Sequence, residues 1–168
     1  MSHVGIFPTG ENPSAGSSQR KPPAVRIDES AVVLERRIDA LHASAHSIVD
    51  RHWTFVYSME KKLTGWEHKS TLQVRCMQEG NSIRLDWCGI KWYGSKANGD
   101  RKSIRTHVTR PKGAYGYTLS KLKALAQDWE ADMVEETESQ LTKIRREANH
   151  LVKAITCIRH ARSTVDRV

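Results

Sequence analysis

The sequence predicts an α+β fold: a long helix, a three-stranded antiparallel meander, and a long C-terminal helix packed on one sheet face. Three observations carry that expectation. An apolar stripe at helical spacing runs to Lys61, the periodicity switches to two between Leu72 and Val108, and helical spacing returns after Thr118.

Residues 1–27 hold Pro8, Gly10, Pro13, Gly16, Pro22 and Pro23 among few apolar side chains. Such a composition does not offset the entropy of ordering, so a flexible polar tail is expected. The remaining residues, 28–168, are enough to bury a sizeable core and are expected to form a single α+β domain. Asp28 is a candidate N-cap, with Glu29 in the first turn. From there Leu34, Ile38, Leu41, Ala45, Ile48, His52, Phe55 and Met59 recur with the 4-3 alternation of a heptad seam, predicting a helix from Glu29 to Lys61. His52 is the one polar member of that stripe, and Gly65 ends the helix.

Leu72, Val74 and Cys76 then alternate with Gln73, Arg75 and Met77, the pattern of a half-buried strand. Gly80-Asn81 is a hairpin signal, and Ile83, Leu85 and Trp87 continue the apolar face beyond it. The alternation slips at Cys88-Gly89, where a bulge would return Ile90 and Trp92 to the apolar face. Asn98-Gly99 marks the second turn, Ile104, Thr106 and Val108 the third strand, and Pro111 and Gly113 its end. Thr118 caps a second helix expected from Leu119 to about Thr164, roughly 70 Å at the usual rise per residue, with a stutter between Met133 and Leu141. A helix of that length either bends at the stutter or projects from the body, and projection invites homodimerisation.

Charge narrows the function. The chain carries 27 Lys and Arg against 19 Asp and Glu, a net +8 that favours polyanionic partners. Most of the excess lies in residues 69–113, where ten bases face three acids. Alternation places Gln73, Arg75, Arg84, Arg105 and His107 on the sheet face opposite the core, with Lys91, Lys96, Arg101, Lys102, Arg110 and Lys112 in the hairpin and strand ends. Guanidinium groups offer phosphates paired donors and lysines offer point charges, so these residues make a candidate nucleic-acid surface. The plainer alternative is a solvated face with ordinary ion pairs, but Glu79, Asp86 and Asp100 are too few to pair ten cations.

Tyr93, Tyr115 and Tyr117 stand beside glycines in loops and are the candidates for stacking on unpaired bases. Trp87, Trp92 and Trp129 match the apolar registers and are expected in the core. The second helix is acidic from Asp128 to Glu138 and basic from Lys143 to Arg167. That polarity complements the helix dipole, although its seven bases exceed what the dipole needs and suit either a second phosphate contact or another subunit.

Other chemistries find little support. Cys76, Cys88 and Cys157 are odd in number and widely spaced, so neither a disulfide framework nor a zinc knuckle is indicated. His42 and His46 share a helical face without a third metal ligand, and Asp86 and Lys91 near Glu79 lack the spacing of a metal-dependent nuclease. No cofactor, metal or enzyme activity is expected. Without a long apolar run or a signal peptide, a cytoplasmic protein with no membrane partner is expected.

The segment Trp92-Tyr93-Gly94-Ser95-Lys96, followed by Thr106 through Gly113, Tyr115-Gly116-Tyr117 and Leu122 through Glu130, resembles the MobI-type mobilisation proteins of conjugative plasmids and integrative elements. The resemblance covers about residues 70–150, and the tail and first helix add nothing to it. It implies a non-enzymatic accessory factor in a bacterial donor that binds DNA and assists a relaxase at the origin of transfer. DNA, a relaxase and other transfer proteins are its implied partners. A helical adaptor that binds another protein through the heptad seam is the competing function.

Overall fold

The computed structural model describes residues 23–94, 98–100, 102–165 and 167. Residues 1–22 of the expected tail, and the candidates Lys96 and Arg101, lie outside the described residues. The elements are α1 (Pro23–Lys62), β1 (Leu72–Glu79), β2 (Ser82–Tyr93), β3 (Lys102–His107), α2 (Leu119–Lys123) and α3 (Ala131–Val165). Single 3-10 turns lie at Trp66–His68 and Asp128–Glu130. The strands form an antiparallel sheet in the order β1-β2-β3.

Helix α1 starts at Pro23, ahead of the expected Asp28 cap. Proline suits a first helical position because its missing N–H has no intrahelical partner there. The buried stripe of α1 also departs from the heptad seam. It runs through Ile38, Leu41, Ala45, Val49, His52 and Val56, while Ile48, Phe55 and Met59 are only half-buried. These positions follow the 3.6-residue period of a straight helix, from which a strict heptad drifts.

The second helix is interrupted well before the Met133–Leu141 stutter. Helix α2 ends at Lys123, and Gln127 and Glu130 form a reciprocal capping box that opens a new helix. Asp128, Glu130 and Asp132 sit at this start, where the helix dipole favours negative charge. The stutter itself is continuous α3. Its buried stripe passes through Val134, Thr137, Glu138 and Leu141, so polar residues occupy core positions and break the apolar pattern without breaking the helix.

Helix α3 does not project but folds back antiparallel along α1. Arg159 pairs with Glu35 at 3.0 Å, Arg37 with Glu147 at 2.7 Å and Arg51 with Glu136 at 2.9 Å. Exposed pairs of this kind contribute little stability, and the join is mainly apolar. Leu41, Ala45 and Val49 share one core with Leu141, Ile144 and Ala148, and with Leu72, Val74, Leu85 and Trp87 of the sheet.

No bulge occurs at Cys88-Gly89, because the register runs unbroken from Leu72 opposite Gly89 to Glu79 opposite Ser82. Gly89 holds the core-side position, where the Leu125 side chain takes the space a Cβ would face, 3.4 Å from where that atom would stand. Ile90 and Trp92 therefore share a face with Arg84 and Asp86, and Trp92 is 51% exposed instead of in the core. Trp87 is fully buried as expected, and Trp129 is half-buried. The helices pack on β1 and β2. All six residues of β3 are exposed, Ile104 included, and Val108 just beyond them is buried.

Candidate nucleic-acid interface

The unbroken register places Gln73 opposite Cys88, Arg75 opposite Asp86, Met77 opposite Arg84, Cys88 opposite His107 and Ile90 opposite Arg105. Successive strand residues point to opposite faces, so Gln73, Arg75, Arg84, Arg105 and His107 all lie on the face away from α1 and α3. Asp86 stands among them, its Oδ2 3.4 Å from Arg84 and 4.0 Å from Arg75. Arg105 Nε donates to Gln73 Oε1 at 3.2 Å, bridging across β2. Arg75 is half-buried, while Arg84, Arg105 and His107 are exposed.

The remaining candidates do not share that face. Lys91 and Lys102 fall on the helix-side parity, yet both are exposed because the helical layer does not reach this end of the sheet. Basic groups thus lie on both sides of the β2–β3 ribbon. The closing turn depends on Gly94, whose φ of +79° and 2.5 Å approach of a hypothetical Cβ to the Asp100 carbonyl exclude a side chain.

Arg110 and Lys112 are exposed on the segment after β3, and that segment is anchored by a buried ion pair. Arg145 donates to both carboxylate oxygens of Glu138, at 2.8 Å and 3.0 Å, and both side chains are almost completely buried. Glu138 also accepts from Trp87 Nε1 at 2.6 Å, the Tyr117 backbone N–H at 2.7 Å and Thr142 Oγ1 at 2.9 Å. Arg145 Nε donates to the Leu85 carbonyl at 3.0 Å. The antiparallel alternation turns that carbonyl toward β3, which ends before reaching it, so the guanidinium completes the open edge of β2.

Tyr117 is buried, which removes it from the stacking candidates. Its ring is covered by Arg145 at 5.0 Å and Arg110 at 5.7 Å, and its hydroxyl donates to Asp86 Oδ1 at 3.4 Å. Burial, and secondarily the Asp86 charge, push the phenol's pKa upward. Tyr115 is half-buried, its hydroxyl accepting from Asn149 Nδ2 at 3.1 Å, and Tyr93 is exposed.

Arg84, Arg110 and Arg145 line one groove of about 580 Å³ with Lys153, a base of α3. Sequence reasoning missed this convergence because α3 supplies it across the fold. It missed Glu138 as well, since a carboxylate in an acidic stretch carries no local signal of burial. Sequence spacing does not single out Trp66 and places Trp92 in the core, although both are exposed. His46 Nδ1 lies 2.8 Å from Asp50 and the His42 ring stands edge-on to it, and among the described residues no group of acids, histidines and cysteines could hold a metal.

A family model described as MobI protein matches residues 41–159. The chain belongs to the MobI family. The match takes in α1 from Leu41, the whole sheet and all but the end of α3, a wider span than the aromatic and basic markers after Trp92. Neither a curated protein nor a solved structure matches the chain. Membership of MobI, a family of accessory mobilisation proteins, ties the chain to conjugative transfer. Among the described residues, no helix is long and apolar enough to cross a membrane.

Proposed function

We propose that this MobI protein is a non-enzymatic DNA-binding accessory factor that assists a relaxase at the origin of transfer, in the cytoplasm of a donor bacterium. The observation that carries the reading is the face bearing Arg84, Arg105 and His107, with Asp86 as its central acid. Lys91 and Lys102 at the ribbon's end, and Arg110 and Lys112 after β3, extend the positive field beyond that face. Such a field attracts a phosphate backbone and confers no base specificity, so recognition of one DNA site falls to other contacts or to the relaxase.

Fluorescence anisotropy with duplex and single-stranded DNA, titrated with salt, tests the reading. If about five phosphates are engaged, log affinity falls with log salt at a slope near −4.5. Preference for an origin-of-transfer fragment supports the mobilisation role in full. Absence of binding at low salt rejects DNA contact and favours the adaptor reading, for which the exposed Val32 and Val33 of α1 offer an apolar starting point. A helical protein interface, or a homodimer formed there, would respond weakly to salt.

A further inference from the structure

A cleft of about 650 Å³ opens beside the basic sheet face, lined by Trp53 and Tyr57 of α1, Trp66, Gln73 of β1, and Ile90 and Trp92 of β2. We propose that this cleft takes an unpaired nucleobase, making single-stranded DNA the form that the interface grips; the proposal rests on the DNA-binding reading above.

Three rings here are exposed to an extent unusual for large apolar side chains: Trp66 at 73%, Tyr57 at 57% and Trp92 at 51%. Clustered exposed apolar surface of this kind marks a binding site. The walls are also held in place. Trp53 Nε1 donates to the Val74 carbonyl at 3.2 Å, a group on the outer edge of β1, and the Trp53 ring stacks on Tyr57 at 5.5 Å and 28°. Gln127 Nε2 ties down the turn bearing Trp66 by donating to the carbonyls of Glu67 at 3.1 Å and Lys69 at 3.0 Å. A prearranged aromatic slot loses little freedom when a flat ring enters.

Charge beside the slot favours phosphates on the sheet side. Gln73 at its lip receives Arg105, and Arg75 and His107 lie on the same face. Glu60 and Glu67 line the other side together with Lys69, whose ammonium lies 3.5 Å from Glu60. Phosphates are therefore drawn most strongly toward the sheet, while an uncharged base enters between the aromatic walls. Aromatic stacking accepts every base, so the slot adds strand-form preference more than sequence preference.

The test uses the full chain with a labelled thymidine oligomer of about 12 nucleotides, an abasic oligomer with the same phosphates, and a duplex of the same length. The base-bearing strand is expected to bind about tenfold tighter than the abasic one, the effect of one stacked base. Trp66→Ala and Trp92→Ala should each erase most of that advantage, while Trp92→Phe keeps it. Both rings are exposed, so circular dichroism should show an unchanged fold. Equal affinity for base-bearing and abasic strands overturns the cleft proposal and leaves the basic-face reading standing. Failure of all three DNAs to bind at low salt removes both.

Discussion

Strands β1 and β2 differ from β3 although all three belong to one sheet. Leu72, Val74, Leu85 and Trp87 are buried beneath two long helices, whereas every residue of β3 is exposed. Side chains from the helices also finish the hydrogen bonding of the inner pair, with Trp53 on the Val74 carbonyl and Arg145 on that of Leu85. Stability is therefore concentrated on the helix-covered face of β1 and β2, and accessible charge on β3 together with Arg84 and Lys91 of β2. Substitutions in the two parts should have separable effects.

The largest effect is expected at Glu138. Replacing it with alanine leaves Arg145 buried without its counter-charge and removes the acceptor of Trp87 Nε1 and of the Tyr117 N–H, at a cost of about 3–5 kcal/mol. Urea denaturation measures it, and a loss below about 1 kcal/mol would show that the pair is not the anchor of this region. A similar contrast separates two apolar residues: Leu85→Ala should cost about 2–5 kcal/mol, and Ile104→Ala no more than about 0.5 kcal/mol. Comparable losses at both positions would erase the distinction between inner strands and β3.

Charge reversal sharpens the comparison from the other side. Arg84→Glu, Lys102→Glu and Arg105→Glu combined should weaken DNA binding by at least about 100-fold in low-salt anisotropy while shifting the unfolding free energy by less than about 1 kcal/mol. Undiminished binding would move the interface elsewhere.

A smaller effect concerns pH. The folded chain holds the Tyr117 proton to higher pH than the unfolded chain, because burial disfavours the phenolate. Stability from this group is thus present below the unfolded value of about 10 and is lost as pH rises through the higher folded value. Tyr117→Phe should flatten that alkaline decline in a pH series of denaturation curves. Smallest of all, alkylation near neutral pH should reach exposed Cys157 first. It should lag at half-buried Cys76, whose thiol pKa is raised by burial and by Asp50, as peptide mass mapping would show.

Much of this arrangement was legible in the chain. Alternation around Arg75, Arg84 and Arg105 reports which face each occupies because strand periodicity is local and strict. Gly80, with φ of +55°, opens the β1–β2 hairpin where its pairing with Asn81 suggested. Trp92 and Tyr117 were misread for opposite reasons. The spacing of Trp92 matched a core only if a bulge intervened, and the loop position of Tyr117 concealed the two arginines that enclose it.

Short-range periodicity and composition are enough for the succession of first helix, antiparallel meander and closing helical segment and for the concentration of positive charge between Lys69 and Gly113, but not for the break that separates α2 from α3. Tertiary structure alone decided that α3 folds back along α1, that Glu138 and Arg145 lie buried together, and that Trp53, Tyr57, Trp66 and Trp92 surround one cleft. Those outcomes depend on which distant segments exclude water from each other, a property that no local window of residues contains.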